Sequence, residues 1–480
     1  MPNQTRPHHR TVAIIGGGFS GAATAVHLLR IAPAGTVVVL IEPKSEIGRG
    51  LAYSTPHRSH RLNVPAGRLG IDPDQESGFI DWLHARGEPC LASDFLPRHL
   101  FGTYVSSEVE RIALEARQRG LSFRHLKTSV IGMSRSRPPY RLVMADDQIL
   151  EADVIVLATG HSRPVAPALA GNVGWSDAGM AEDPWRSGTL ASPDRSREIL
   201  VLGSGLTAID VVSQLRDQGH VGRIHLISRR GLLPQPHRIH EARPPLGLSP
   251  AAQLGDELSL RHIFHAVREW SATAQASGGD WRDVMASLRP WTTHLWQRLT
   301  ARDRRQFLRH LQPFWETHRH RVAAPVFKML SDLMASGEVG LHAGHIERID
   351  RADDGRIAIR WRPRGGARIA TLHVDLVANC TGATVGLGCS ESPLSSSLAN
   401  TGVLVPDVLK LGIQVDAQLR AIDSSGVPAD SFYYVGPMLK AQRWEAVAVP
   451  ELRNHARDVA RHILAEFDKR AATRDVASAC

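Results

Sequence analysis

The sequence predicts an α/β fold with two parallel-sheet domains, β-meanders and a helical insert. Three observations carry that prediction. A strand, a glycine loop and a helix follow one another from Thr11 to Arg30 and again from Ile199 to Val212. Each unit is followed by alternating polar and apolar residues, and then by an apolar run ending in Thr159-Gly160 or Thr381-Gly382. Within the second unit a long stretch, about Leu232 to Ser336, departs from this order and carries helical spacing instead. Sequence identity between the halves is slight; the shared order of elements carries the repeat.

In the first unit Thr11 to Ile15 is an apolar strand that runs into Gly16-Gly17-Gly18-Phe19-Ser20-Gly21, with a helix expected from about Ala22 to Arg30. The spacing G-x-G-x-x-G has a job for each glycine. Gly16 permits the tight turn, Gly18 lets bare backbone approach a diphosphate, and Gly21 lets helix and strand pack closely. The N–H groups at the helix start then face the phosphates, with Ser20 a further candidate in the same loop. A second strand, Thr36 to Ile41, ends in Glu42, an acid placed to accept hydrogen bonds from a ribose diol. Strand, loop, helix, strand and acid in this order make a Rossmann-like dinucleotide site. Leu121 to Leu150 reads as a β-meander with turns at Pro138-Pro139 and Asp146-Asp147, followed by the buried strand before Thr159-Gly160.

The second unit repeats the pattern as Gly203-Ser204-Gly205-Leu206-Thr207-Ala208, with alanine in the third glycine position. Its following strand, Arg223 to Ile227, ends in Ser228-Arg229-Arg230 and carries no carboxylate. Arg229 and Arg230 could pair with a 2′-phosphate, which points to NADP over NAD. The other reading is that they are solvated turn residues in an arginine-rich chain. Val339 to Leu372 is expected to form a second meander, with turns at Asp353-Asp354-Gly355 and Gly365-Gly366.

The insert opens on a stretch rich in Pro and His, Pro234 to Pro250, and continues with helical spacing over Leu260–Ala274 and Asp303–Trp315. Trp270, Trp281, Trp291, Trp296 and Trp315 lie in it and are expected to fill the core of an added helical layer rather than form a lid. His318-Arg319-His320-Arg321 reads as an exposed helix face. His237, Arg238 and His240 follow the second unit's strand; imidazoles suit acid–base work, but in a chain with 24 His a structural or solvated role is the stronger reading.

Composition sets the outer bounds. The chain has 480 residues, 42% of them apolar, enough for two or three domains with a sizeable core. No apolar run reaches the roughly 20 residues of a membrane helix, and the polar start lacks a signal peptide's apolar core, so a cytoplasmic protein without a membrane partner is expected. The four Cys (Cys90, Cys380, Cys389, Cys480) form no C-x-x-C, which argues against a metal site and against dithiol redox chemistry. The formal charge is +9, carried by Arg with only six Lys. Base composition of the genome explains that bias. Without a basic tail or finger spacing no nucleic-acid partner is expected, while a positive cleft would attract a small anionic substrate.

Three segments are similar to one bacterial FAD/NAD(P)-binding family: Gly18-Phe19-Ser20-Gly21, Gly48-Arg49-Gly50-Leu51-Ala52-Tyr53 and Arg61-Leu62-Asn63-Val64-Pro65-Ala66-Gly67. The C-terminal Tyr434-Val435-Gly436-Pro437 and Val449-Pro450-Glu451-Leu452-Arg453 extend the resemblance over nearly the whole chain. The family includes a flavin-dependent urate hydroxylase and an aspartate N-oxygenase. The resemblance implies a two-dinucleotide-binding flavoprotein, with FAD on the first glycine loop and NAD(P)H on the second. It implies an FAD-binding domain built from residues 1–165 and 373–480, and an NAD(P)H-binding domain of residues 190–372 containing the insert at about 232–336.

The activity implied is that of an FAD-dependent NAD(P)H monooxygenase consuming molecular oxygen. Urate hydroxylation to 5-hydroxyisourate is the leading substrate reading, and N-oxygenation of an amino acid such as aspartate is the alternative. Two readings from other classes stay open, an RNA-modifying flavoprotein and a non-catalytic redox sensor. Arg49 and Tyr53 are expected at the flavin or its pyrophosphate, and Thr159 and Gly160 at the strand end against FAD. Asn63, in a loop bounded by Pro and Gly, either offers its amide beside the flavin or satisfies its own turn. Lys440, on the loop after Gly436 with Arg443 and Trp444, either binds an anionic substrate or is surface. The F-x-G-x-x-x-H-x-x-x-W/P stretch of Baeyer–Villiger enzymes is not apparent, and Gly436-Pro437 stands where related reductases have Gly-Asp. Both departures weaken the transfer of catalytic detail. Leu452, Ala456, Val459, Ile463 and Phe467 mark the buried face of the last helix, and the oligomeric state is left open.

Overall fold

The apolar run Val12–Ile15 forms the buried end of β1 (Arg10–Ile15), as a strand covered on both faces requires. The computed structural model describes residues 10–478 except 136, 162–163, 165–166, 169, 187, 192–193, 239–246, 248–249, 256–257, 383–386 and 388–391. His240 and Cys389 therefore lie outside the described residues. By internal packing the chain divides into one unit of residues 1–56, 65–162 and 385–480, and a second of residues 57–64 and 163–384.

In the first unit β1 pairs in parallel with β2 (Thr36–Ile41), and β2 with β3 (Ser122–Leu126). Three strands, β4 (Val130–Arg135), β5 (Tyr140–Met144) and β6 (Ile149–Ala152), then form an antiparallel sheet, and β7 (Val154–Leu157) returns to pair with β1. The expected meander is thus one strand shorter than read from the sequence. Ser122–Leu126 alternates, but it lies on the parallel sheet, and only the strands after it turn back on themselves. The helix Phe19–Ile31 begins at the glycine loop itself, earlier than the expected Ala22, with Gly18 as its N-cap. It is buried from Phe19 to Leu29 and packs against the final helix Val449–Ser478. That helix buries Leu452, Ala456, Val459, Ile463 and Phe467, the face its spacing predicts.

The second unit carries β8 (Met180–Ala181), β9 (Ile199–Leu202), β10 (Ile224–Ser228), β11 (Val339–Arg351), β12 (Ile357–Pro363), β13 (Ala370–Val374) and β14 (Leu376–Asn379). They make one sheet in the order β13-β12-β11-β10-β9-β14-β8. The second meander is therefore not separate. Its first strand, β11, pairs in parallel with β10 over Val339–Ala343 and then continues antiparallel to β12. Strand β14 lies between β9 and β8, so this unit runs past the 372 boundary read from the sequence and ends at Thr384. The chain then completes the first sheet with β15 (Arg420–Ile422) and β16 (Pro428–Tyr434), in the order β15-β16-β7-β1-β2-β3.

The helical insert has its own core of Ala274, Val284, Met285, Leu288 and Leu295, against which Trp270, Trp281, Trp291 and Trp315 pack. Trp296 is 3% exposed. The tryptophans thus fill a core, as expected. The helix expected over Asp303–Trp315 is broken into Ala301–Gln306, a π-turn at Phe307–Leu311 and Gln312–Arg319. The π-turn, which widens the helix by one residue, places the carbonyls of Arg309 and His310 against the Arg230 guanidinium, at 3.0 and 3.1 Å. His318 to Arg321 are half-buried rather than an exposed face, because the connector after Arg319 is pinned to the chain at Pro236.

Several imidazoles are folded away from protons. Burial, acting first, holds His27 and His225 at about 4 and His237 and His455 at about 3. Arginine charge adds to the shift at each of them. The unfolded chain binds protons near the ordinary value of 6.5, where the folded one does not. Stability is therefore full above that pH and declines as pH falls towards the folded values. The expected result is an unfolding temperature level between pH 7 and 8 and dropping steeply from about 6.5 to 4, measured by calorimetry across buffers; a flat profile through this window would contradict the packing described.

Candidate dinucleotide-binding sites

Four of the predicted segments meet at one edge of the first sheet, the carboxyl ends of β1, β2, β7 and β16. Ligands of open parallel sheets bind at this edge. Gly16 follows β1 with φ +106, and a Cβ on it would stand 2.4 Å from the Ala158 carbonyl oxygen at the end of β7. A Cβ on Gly21 would stand 1.9 Å from the Gly16 oxygen. These two glycines are needed by the fold. Gly18 differs: its Cβ would meet only the Gly50 Cα, at 3.6 Å. The bare faces of Gly18 and Gly50 form a backbone cradle beside the first turn of Phe19–Ile31. That turn has no side-chain cap and no acidic residue. This fits a diphosphate, whose charge the helix N–H groups would receive. Ser20 is buried in this first turn.

Glu42 follows β2, and its carboxylate is fixed by the Gly17 N–H at 2.9 Å and the Lys44 N–H at 3.1 Å. Each oxygen keeps acceptor capacity for a ribose hydroxyl. The Gly48 N–H donates to the Gly17 carbonyl at 2.7 Å, which lays the Gly48–Gly50 loop over the glycine loop. Arg49 is partly engaged, pairing with Glu46 at 2.9 Å and donating to Thr103 Oγ1 at 3.2 Å. Its Nε is buried without a hydrogen-bond partner. Tyr53 packs edge-on against Phe101 at 4.9 Å, and burial pushes its hydroxyl up to about 12, so it stays a donor.

Thr159 and Gly160 follow β7. Gly436 follows β16; a Cβ there would meet the Tyr434 hydroxyl at 2.7 Å. The Lys440 ammonium lies 4.2 Å from the centre of the buried Trp444 ring. His161 lies within electrostatic range of that cation; the surrounding protein, and then the Lys440 charge, lower its basicity, although the residue itself is exposed. Sequence reasoning missed His161 among the 24 His of the chain. Its place directly after Thr159-Gly160 was the signal that could have found it.

The second unit repeats the backbone hydrogen bonds of the glycine turn. Gly16 N–H donates to Ile41 O at 2.9 Å, and Gly203 N–H to Ile227 O at 2.8 Å. Ala158 N–H reaches Ile15 O at 2.8 Å, and Cys380 N–H reaches Leu202 O at 2.8 Å. A Cβ on Gly203, φ +114, would stand 2.4 Å from the Cys380 carbonyl oxygen, as at Gly16 and Ala158. Gly205 caps the helix Leu206–Asp217 with open space around it, and Thr207 lies in an uncapped first turn. These hydrogen bonds equate Ser228 with Glu42. In place of a carboxylate, the Ser228 hydroxyl accepts from Ser204 Oγ at 2.8 Å and Gly231 N–H at 3.0 Å. Arg229 is exposed, while Arg230 is committed to the π-turn carbonyls.

Asn63 falls in the second unit, where its carbonyl accepts from His237 Nε2 at 2.9 Å. Arg238 is held by Asp280 and Asp283.

Residues 13–162 match a family model described as FAD-NAD(P)-binding. This stretch contains the first glycine loop, Glu42, Arg49, Tyr53, Asn63, Thr159 and Gly160. No curated protein matches the chain. Among solved structures, the chain is similar to an ornithine N-hydroxylase from Kutzneria sp. 744, described with reduced FAD, NADP+ and L-ornithine. The TM-score is 0.60 at 18% identity, over 96% of this chain and 100% of that one. It is similar to a cadaverine monooxygenase of desferrioxamine biosynthesis from Erwinia amylovora, bound to FAD, with TM-score 0.60 at 14% identity over 95% of each chain. It is also similar to L-lysine 6-monooxygenase from Pseudomonas syringae, with TM-score 0.59 at 16% identity over 95% of this chain and 99% of that one. The chain thus has the two-dinucleotide fold of these monooxygenases. Among the described residues no helix is long and apolar enough to cross a membrane.

Proposed function

We propose that this protein is an FAD- and NADPH-dependent monooxygenase that hydroxylates an amine nitrogen of a small substrate. The observation that carries the reading is whole-chain likeness to three enzymes described as acting on ornithine, cadaverine and lysine, joined to two glycine-loop units of matching geometry. A bound FAD would supply the redox chemistry that couples oxidation of NADPH to reduction of O₂, one oxygen atom going to the substrate and the other to water.

The chain's own residues supply binding and orientation. The Gly18–Gly50 cradle and the helix N–H groups hold the diphosphate, and Glu42 holds the ribose. Gly160 leaves bare backbone at the end of β7 for the flavin, with Thr159 beside it and Gly436 at the neighbouring strand end. Lys440, steadied on Trp444, offers a cation to an anionic group of the substrate. Urate hydroxylation rests on the resemblance of the Gly48–Tyr53 and Arg61–Gly67 segments and takes second place, since the three solved relatives are described with amine substrates.

The test is NADPH oxidation and oxygen uptake by the purified FAD-loaded protein, with ornithine, lysine, cadaverine, aspartate, urate or no addition. One amine should stimulate both rates and yield a hydroxylamine. Stimulation by urate alone would transfer the assignment to ring hydroxylation. Equal rates in every well would overturn the monooxygenase reading.

A further inference from the structure

Within the second unit, a group of arginines surrounds His237 with more positive charge than its acids can balance. Arg238 takes both oxygens of Asp283 at 2.7 Å and reaches Asp280 at 3.1 Å. Arg282 reaches the same Asp280 at 3.2 Å and gives its Nε to the Pro236 carbonyl at 3.0 Å. The two carboxylates are therefore engaged by two guanidiniums. Arg321 stands in the same field and makes no side-chain hydrogen bond or ion pair among the described residues; its Nε is buried without a partner. Its backbone cannot drift to find one, because the chain beside it is pinned. Val322 N–H donates to Gln235 O at 3.0 Å, and His237 N–H to Val322 O at 2.9 Å. Burial first, then the charges of Arg319 and Arg282, lower Arg321 to about 10.

His237 cannot relieve this. Its Nε2 faces a carbonyl, Asn63 O, so that nitrogen carries the hydrogen and the neutral ring brings no negative charge. A carbon side chain would fill Arg321's place at no cost in unpaired charge. A guanidinium fixed here and left without a counter-ion is arranged for an anion that arrives from outside.

We propose that Arg321, flanked by Arg282, binds an oxyanion of a ligand, the carboxylate of the substrate or a phosphate of the nicotinamide dinucleotide. The carboxylate source rests on the monooxygenase reading above; the phosphate source does not. The planar fork of an arginine suits both groups.

The test is thermal unfolding of the FAD-loaded protein at low salt, wild type against Arg321→Met and Arg321→Lys, with succinate, inorganic phosphate, NAD+ or NADP+ added. Without ligand, Arg321→Met should unfold at the wild-type temperature or above it. Succinate or NADP+ should raise the wild-type temperature, with affinity about ten- to a hundredfold weaker in Arg321→Met and partly restored in Arg321→Lys. Loss of the succinate response alone identifies a carboxylate, and loss of the difference between NADP+ and NAD+ identifies the 2′-phosphate. Loss of the NAD+ and NADP+ responses together identifies the pyrophosphate. No anion response in the wild type, equal responses in all three proteins, or a marked fall in the ligand-free unfolding temperature of Arg321→Met overturns the proposal. Because these readouts need no turnover, a failed search for an oxidisable amine would leave them standing.

Discussion

Gly18→Val should give a folded protein that has lost its flavin. The fold has room for the first carbon, since a Cβ at Gly18 meets only the Gly50 Cα at 3.6 Å, and the residue's φ of −69 suits any amino acid. The space it would enter is the cradle for the diphosphate. Forcing carbon into a filled site costs about 1–3 kcal/mol or more, and the displaced phosphate also loses its approach to the helix N–H groups. A fall of more than about a hundredfold in FAD affinity follows, seen as colourless protein with unchanged circular dichroism. Gly21→Val is the control. Its Cβ would lie 1.9 Å from the Gly16 oxygen, so that variant should fail to fold, whether or not flavin is supplied. Full flavin content in Gly18→Val would remove the first dinucleotide site from this loop.

That contrast between two glycines of one motif marks how far the sequence could be read. G-x-G-x-x-G, the strand before it and Glu42 after the next strand located the first site, because each has a short-range cause: a tight turn, a close approach, an acid at a strand end. The repeat at Gly203 was legible for the same reason. The different tasks of Gly18 and Gly21 were legible in the motif as well; the Gly50 that shares the cradle with Gly18 was not, since it arrives from a separate loop. The meanders were read from alternation, which also occurs in Ser122–Leu126 on a parallel sheet and in β11, a strand shared between parallel and antiparallel partners. Alternation reports which faces are buried and says nothing of the partner strand. The basic run at His318–Arg321 looked solvated because a charge run usually is; its burial follows from the pairing of Pro236 with Val322, a non-local contact with no sequence signature. Asn63 was expected, from its loop bounded by Pro and Gly after the first nucleotide unit, either beside the flavin or satisfying its own turn. Its segment packs with the second unit, and its expected role at the flavin remains a proposal.

Coenzyme choice should turn on two adjacent residues at the end of β10. Matched hydrogen bonds place Ser228 where the first site has Glu42. A carboxylate there would accept from a ribose diol and repel a 2′-phosphate; a serine hydroxyl does neither. Arg229 is exposed and adjacent, whereas Arg230 is held by the Arg309 and His310 carbonyls and by the Phe314 ring, 5.2 Å from its guanidinium carbon. Arg229→Ser should therefore weaken NADP+ about ten- to a hundredfold, the worth of one charge-assisted hydrogen bond, and leave NAD+ nearly unchanged. Ser228→Glu should weaken NADP+ similarly and strengthen NAD+, because the new carboxylate can take the Ser204 N–H as Glu42 takes the Gly17 N–H. Arg230→Ser should affect both dinucleotides alike, through the shape of the π-turn. Calorimetric titration of the FAD-loaded protein measures all three. Equal losses for NAD+ and NADP+ in Arg229→Ser would mean that Arg229 is a solvated turn residue, and the 2′-phosphate would have to be read by some other cation of the second unit.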